Sequence, residues 1–257
     1  MNSRNIRRKY AQNYLIDPAI LFEMATAIAP KENDTFIEIG PGHGALTNQI
    51  NKENINIICI DIDSDNIDIM NNEFKGPANF KFINQDILNF ELPSIDSKLR
   101  IVGNLPYNIS TQIIFKVLEY KNRVPELIGM FQKEVAERIC EKKGSKKYGI
   151  LSVLTQTYYD TKYLFSVPAS VFTPPPKVIS AVIRLVRKEQ IDINYNEKLF
   201  FKVVKLSFQQ RRKTLRNSLK SFNLSDILRE DAIFDLRPEQ LSVRDFIYIT
   251  DLIDKNI

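Results

Sequence analysis

The chain has 257 residues, 44% apolar and 26% charged, enough for one sizeable core and a smaller second domain, with no apolar run long enough to span a membrane. It holds two cysteines and one histidine, which excludes a cysteine–histidine zinc site and any serine triad needing a second usable histidine. The net charge is only +5, so where the charges sit says more than their sum.

Arg4, Arg7, Arg8 and Lys9 precede the first acidic residue. They read as a solvated terminus or as an arm on phosphate, with neither favoured. No apolar segment follows them to make a secretory signal, and the protein is expected in the cytoplasm. Asp17-Pro18 opens a helix with Ile20, Leu21, Met24, Ala25 and Ile28 on one side. Thr35–Ile39 is a buried strand that runs into Gly40-Pro41-Gly42-His43-Gly44 and a helix start. This strand, glycine turn and helix form the first unit of a doubly wound sheet. The spacing G-x-G-x-G is not that of dinucleotide binders, although by itself it leaves a nicotinamide cofactor open. His43, within the glycines, reads as incidental, and Cys59 as core.

The second strand, Ile55–Ile60, delivers Asp61 about 20 residues beyond the glycines, where a carboxylate accepts from ribose hydroxyls. Asp63 and Asp65 fit helix capping and N-terminal charge. The third strand, Phe80–Ile83, ends near Asp86, placed to accept from an adenine amino group. Three successive strands, and a fourth that runs into Gly103-Asn104, thus finish in glycine or polar residues on the edge where open α/β sheets bind ligands. This favours an S-adenosylmethionine pocket, with Gly40, Gly42, Asp61, Ile62, Asp86 and Ile87 in it.

The fourth strand ends in Gly103-Asn104-Leu105-Pro106-Tyr107. An exocyclic amine is a poor nucleophile because its lone pair is delocalised into the ring. The Asn104 side-chain oxygen and the Pro106 carbonyl can accept its two N–H bonds and turn the lone pair toward a methyl donor. Tyr107 would stack on a flipped base. No histidine base is needed, because the methylated ammonium is acidic enough to lose its proton to water. Four residues of this kind are also a common turn; the neighbouring strand ends decide for chemistry.

Further along, Ser110 is expected to cap a helix reaching Tyr120. Leu127–Phe131 is a fifth strand, Gln132–Lys143 and Leu151–Tyr158 are helices, and Lys162–Phe165 and Val178–Leu185 are strands, antiparallel across their short link. Lys146 and Lys147 lie in a basic loop that fits a phosphate contact or a solvated turn equally. The proline-rich link holds Phe172 and ends in Lys177; Phe172 reads evenly as a base-stacking ring or as a core plug. A junction falls at Glu189–Asn194, dividing a catalytic domain, 1–188, from a helical domain, 189–257. Lys198–Lys220 carries eight basic residues and no acid, including Arg211, Arg212, Lys213 and Arg216, a stripe that points to RNA.

The chain resembles the ribosomal RNA adenine N6-dimethyltransferases, most closely those of the small subunit. The resemblance is carried in order by Gln12–Leu15, Glu38–Thr47, Asn104–Ser110, Gln132–Arg138, Phe172–Val178 and Phe208–Asn217. It implies a Rossmann-like class I α/β methyltransferase sheet with an antiparallel last strand, and a small all-α C-terminal domain. It also implies dimethylation of two adjacent adenines in the hairpin near the 3′ end of small-subunit RNA, on an assembling subunit. S-adenosylmethionine is the donor and S-adenosylhomocysteine the product, with no metal, DNA or membrane partner. Asn13, Leu15, Gly40, Asp61, Asp86 and Asn104 are implied to line the cofactor site. Three positions depart from the pattern: Ala11 and Tyr14 stand where glycine and phenylalanine are usual, and Asp61 where glutamate is. The alternatives are a large-subunit RNA methyltransferase, an assembly factor without catalysis and a DNA adenine methyltransferase.

Overall fold

A computed structural model describes residues 12–93, 99–190, 195–225, 228 and 230–256. Arg4, Arg7, Arg8, Lys9 and Ala11 lie outside the described residues. Elements are numbered among those described.

Thr35–Ile39 (β2) is buried at all five positions, as a strand covered on both faces must be. It pairs in parallel with Asn56–Asp61 (β3) and Leu99–Asn104 (β5). Asn79–Asn84 (β4) adds outside β3 and Glu126–Gln132 (β6) outside β5, both parallel. Ser180–Arg187 (β9) then pairs antiparallel with β6, and Tyr159–Val167 (β7) closes the order β4-β3-β2-β5-β6-β9-β7. This is the expected sheet, with its last strand in sequence, β9, antiparallel to β6. A second, two-stranded ribbon was not expected: Tyr14–Leu15 (β1) pairs antiparallel with Phe172–Thr173 (β8).

Helix Pro18–Ile28 (α1) starts at Asp17, whose carboxylate accepts from the amides of Ala19 and Ile20. Ala45–Ile50 (α2) follows the glycine turn. Ser64–Glu73 (α3) is capped by Asp63 as its sequence suggests. In Ser110–Glu119 (α4), Ser110 is not the cap but the first helical residue, and its hydroxyl donates to the Tyr107 carbonyl at 3.1 Å. Met24, Ile28, Phe36, Ile57, Cys59, Ile128 and Val182 join one apolar core between these layers. At the sheet end away from Asn104, buried Arg100 pairs with Asp34 and Glu126 and lies over the Phe36 ring. A buried cation of this kind must be matched on several sides to be tolerated.

The chain divides into two compact units, Met1–Ala136 with Lys162–Arg187, and Glu137–Thr161 with Lys188–Ile257. The second boundary falls beside the expected junction at Glu189. The segment Glu137–Thr161, placed by sequence with the catalytic domain, groups instead with the C-terminal part. The reason is packing between distant stretches of sequence: Tyr158 donates to Glu197, and Arg211 to the Ser145 carbonyl. Lys133–Cys140 (α5) also stops three residues before the expected Lys143. In the second unit Ile150–Tyr158 (α6), Glu197–Gln209 (α7), Leu215–Ser218 (α8) and Val243–Asp254 (α9) enclose Phe200, Val203, Val204, Phe246 and Ile249. No helix of the described residues is long and apolar enough to cross a membrane.

Candidate active site

Within the first unit a cavity of about 420 Å³ opens at the C-terminal ends of β2, β3, β4 and β5. That is the size of a small-molecule site at the place where such sheets bind ligands. Its lining contains every residue expected around a cofactor: Asn13, Leu15, Gly40, Gly42, Asp61, Ile62, Asp86, Ile87 and Asn104. Leu105, Pro106 and Tyr107 line it as well.

Gly103 has φ near +149°, and a Cβ there would lie 2.4 Å from the Ile39 carbonyl oxygen. Only glycine lets β5 approach β2 this closely at the point where Asn104 leaves the sheet. The Asn104 side chain is half-buried, and its Nδ2 donates to the Asn13 carbonyl at 2.9 Å. With the donor end of the amide held, Oδ1 is the end left to accept. The Leu105 amide donates to the Met130 carbonyl and the Ile109 amide to the Pro106 carbonyl, each at 3.2 Å. The Pro106 carbonyl therefore already closes the turn into α4. A carbonyl oxygen has two lone pairs, so this bond is compatible with the expected acceptor role of Pro106. Tyr107 is hydrogen-bonded through its hydroxyl to Ser180 of β9. Burial raises its phenol above the ordinary value, against a smaller opposing effect of that hydrogen bond.

Asp61 is 7% exposed. Its Oδ1 accepts from the Asp63 amide and its Oδ2 from Asn66 Nδ2, both at 2.9 Å. Burial raises its carboxyl above the usual range, and these hydrogen bonds pull it back. Asp86 Oδ1 accepts from the Leu88 amide at 2.9 Å. Two carboxylates on neighbouring strand ends, with Leu15, Ile62 and Ile87 between polar groups, suit the hydroxyls, amine and apolar faces of a nucleoside. The donor set thus fits an adenosyl group.

Glu38, Tyr14 and Asn66 are among the lining residues to which the sequence reading assigned no site role. Glu38 is 1% exposed, and burial pushes its carboxyl up to about 7 although Thr47 Oγ1 donates to it at 2.6 Å. A lone carboxylate inside an apolar strand was the available signal. Tyr14 stacks on His43 with ring centroids 4.6 Å apart, so His43 is a packing partner rather than incidental. Asn66, buried on α3, gave no sequence signal.

Phe172 is a correction. It is 2% exposed, belongs to the apolar core and pairs across the ribbon with Leu15. A stacking ring must present a face, and this one is covered. Of the expected RNA contacts, Arg7 and Arg8 lie outside the described residues, while Lys177 is exposed in the first unit. In the second unit Lys146, Lys147, Arg212 and Lys213 are exposed. Arg211 is half-buried and donates to the Ser145 carbonyl at 3.1 Å, which ties the Lys146–Lys147 loop to the stripe. Lys147 pairs with Glu137 at 2.6 Å and Arg216 with Asp235 at 2.7 Å.

Residues 3–240 match the family described as ribosomal RNA adenine dimethylase. A "Ribosomal RNA small subunit methyltransferase A" of Flavobacterium johnsoniae is 50% identical over 99% of this chain and 98% of its own. That of Cytophaga hutchinsonii is 45% identical over 98% and 99%. Among solved structures, a dimethyladenosine transferase from Plasmodium falciparum superposes with a TM-score of 0.80 at 26% identity, covering 94% of this chain and 97% of that one. With its strand ends gathered on one nucleoside-sized cavity and its sequence matched along nearly its whole length, the chain belongs to the ribosomal RNA adenine dimethylase family.

Proposed function

We propose that this protein transfers methyl groups from S-adenosylmethionine to N6 of two adjacent adenines in the 3′-terminal hairpin of small-subunit RNA. The products are N6,N6-dimethyladenosines and S-adenosylhomocysteine. It acts in the cytoplasm, as a monomer, on the assembling small subunit. The observation that carries this reading is the Asn104 amide, held by Asn13 at the mouth of the turn with its oxygen as acceptor.

S-adenosylmethionine, when bound, supplies a methyl group activated on a sulfonium. Gly40 and Gly42 let it approach the main chain, Asp61 takes the ribose, and Asp86 takes the adenine amine, with Ile62 and Ile87 beside the ring. Asn104 Oδ1 and the Pro106 carbonyl accept the two N–H bonds of the target amine. They localise its lone pair, and such oriented acceptors act in a low-dielectric site at no reorganisation cost. Tyr107, pinned by Ser180, offers its ring to the base. Each transfer leaves a proton that water removes. In the second unit Lys146, Arg212 and Lys213, gathered by the Arg211–Ser145 contact, bind phosphate together with Lys147, Arg216 and Arg211. In the first unit Lys177 also contacts phosphate, as do Arg7 and Arg8 of the basic N-terminal segment.

The test is to supply labelled S-adenosylmethionine to small subunits lacking the modification and map the labelled nucleotides. Two adjacent dimethyladenosines near the 3′ end support the reading. Labelling confined to protein-free large-subunit RNA, or none, overturns it.

A further inference from the structure

The ribose-binding carboxylate does not stand alone. Asp61 Oδ2 accepts from Asn66 Nδ2 at 2.9 Å, which fixes which end of the Asn66 amide faces the carboxylate. The other end, Oδ1, accepts from the Tyr14 hydroxyl at 3.1 Å. The same hydroxyl lies 2.6 Å from Gln12 Oε1, while Gln12 Nε2 donates to Asp63 Oδ2 at 3.0 Å. Two amides therefore turn their oxygens to a single phenolic hydrogen because both NH₂ ends are engaged by carboxylates.

The ring that carries this hydroxyl is held in place. It stacks on His43, and a Cβ at Gly42, where φ is +58°, would come within 2.9 Å of it. Asn66 is 2% exposed, so its amide has no bulk water to reorient it, and a reversed amide would point an oxygen at Asp61. Tyr14 is thereby wired through Asn66 to a carboxylate 47 positions away.

We infer that Tyr14 is a positioning residue for cofactor binding: through its hydroxyl it locks the Asn66 amide, which holds Asp61 in the rotamer that receives the ribose. The inference rests on the reading of Asp61 as the ribose acceptor. Removing the hydroxyl leaves both amide oxygens facing an apolar ring edge. The buried Asn66 oxygen then lacks a donor, its amide is no longer locked, and Asp61 loses its fixed donor.

The experiment measures, by titration calorimetry on the full chain, the affinity for S-adenosylhomocysteine and for its 2′,3′-dideoxy analogue, in wild type, Tyr14→Phe, Asp61→Asn and the double variant. Tyr14→Phe is expected to weaken S-adenosylhomocysteine by about three- to tenfold, the usual effect of one such hydrogen bond. The analogue should be unaffected, and no further loss seen in the double variant over Asp61→Asn. Equal loss for both ligands, additive losses, or no loss overturns the relay. If Asp61→Asn costs nothing while wild type binds, the ribose assignment itself falls, and the relay with it. If Asp61→Asn costs affinity and Tyr14→Phe does not, only the relay falls.

Discussion

The side-chain amide of Asn104 donates to the main-chain carbonyl of Asn13 at 2.9 Å, across 91 positions of sequence. One hydrogen bond thus joins the turn proposed to receive the target base to the segment that roofs the cofactor cavity, and it decides which atom of Asn104 is left to accept.

Asn104→Ala removes that acceptor and is expected to lower kcat by about 10²- to 10³-fold, while RNA affinity stays within twofold on the order of a surface substitution. Asn104→Asp is the sharper test. It keeps an oxygen but sets a carboxylate against the Asn13 carbonyl, so turnover should fall there too. Single-turnover transfer with saturating RNA checks both; undiminished turnover in either removes the proposed role.

Glu38 makes stability depend on pH in an unusual sense. Its carboxyl titrates near 7 in the folded protein because of burial, against an ordinary value of 4.5. Between these values the folded chain holds a proton that the unfolded chain has lost, so stability declines as pH rises through this window. The decline amounts to about 3 kcal/mol. Glu38→Gln keeps an acceptor for Thr47 and should flatten the decline, melting higher than wild type at pH 8. Thermal melts at pH 5 and pH 8 measure it.

In the second unit, Lys146, Arg212 and Lys213 are exposed on segments tied by the Arg211–Ser145 hydrogen bond. Reversing these three charges should weaken RNA binding and make the dependence of log K on log salt shallower by about 2, since each lost phosphate contact contributes about 0.7–0.9. Arg216→Ala should change the slope less, because Asp235 already partners that guanidinium. Filter binding at several salt concentrations gives both slopes.

Phe172→Ala is expected to destabilise the fold by about 3–5 kcal/mol, as removal of a buried aromatic ring does. It should also weaken cofactor binding, because β8 holds Leu15 in the cavity lining. A variant of unchanged melting temperature with only a raised KM for RNA would restore the stacking role.

What was legible in the chain follows from how physics writes onto sequence. Central parallel strands are covered on both faces, so Leu127–Phe131 announces itself as an apolar run and Thr35–Ile39 as one interrupted inside only by Glu38, and the residues that follow them mark the cavity edge. The β1–β8 ribbon left no trace, because two residues per strand carry no period. Phe172 stayed ambiguous for the same reason: a phenylalanine between prolines looks alike whether it plugs a core or faces a base, and only its pairing with Leu15 separates the two. Asn66 and Tyr14 act through partners about 50 residues apart, a relationship that no local pattern encodes. Glu38 could have been found, since an acid amid Phe36, Ile37 and Ile39 must be desolvated. The grouping of Glu137–Thr161 with the C-terminal unit depends on long-range contacts alone.

The absence of a side chain at residue 103 has a wider consequence. The glycine turn proposed to cradle the methyl donor and the asparagine proposed to hold the acceptor issue from two strands that lie side by side, and a Cβ built on Gly40 would sit 3.6 Å from the Asn104 carbonyl oxygen. Donor and acceptor are then like adjacent teeth of one comb, their separation inherited from the roughly 4.8 Å pitch of the sheet. Such a gauge does not drift when surface loops are exchanged, and a single methyl group at position 103 would force it open.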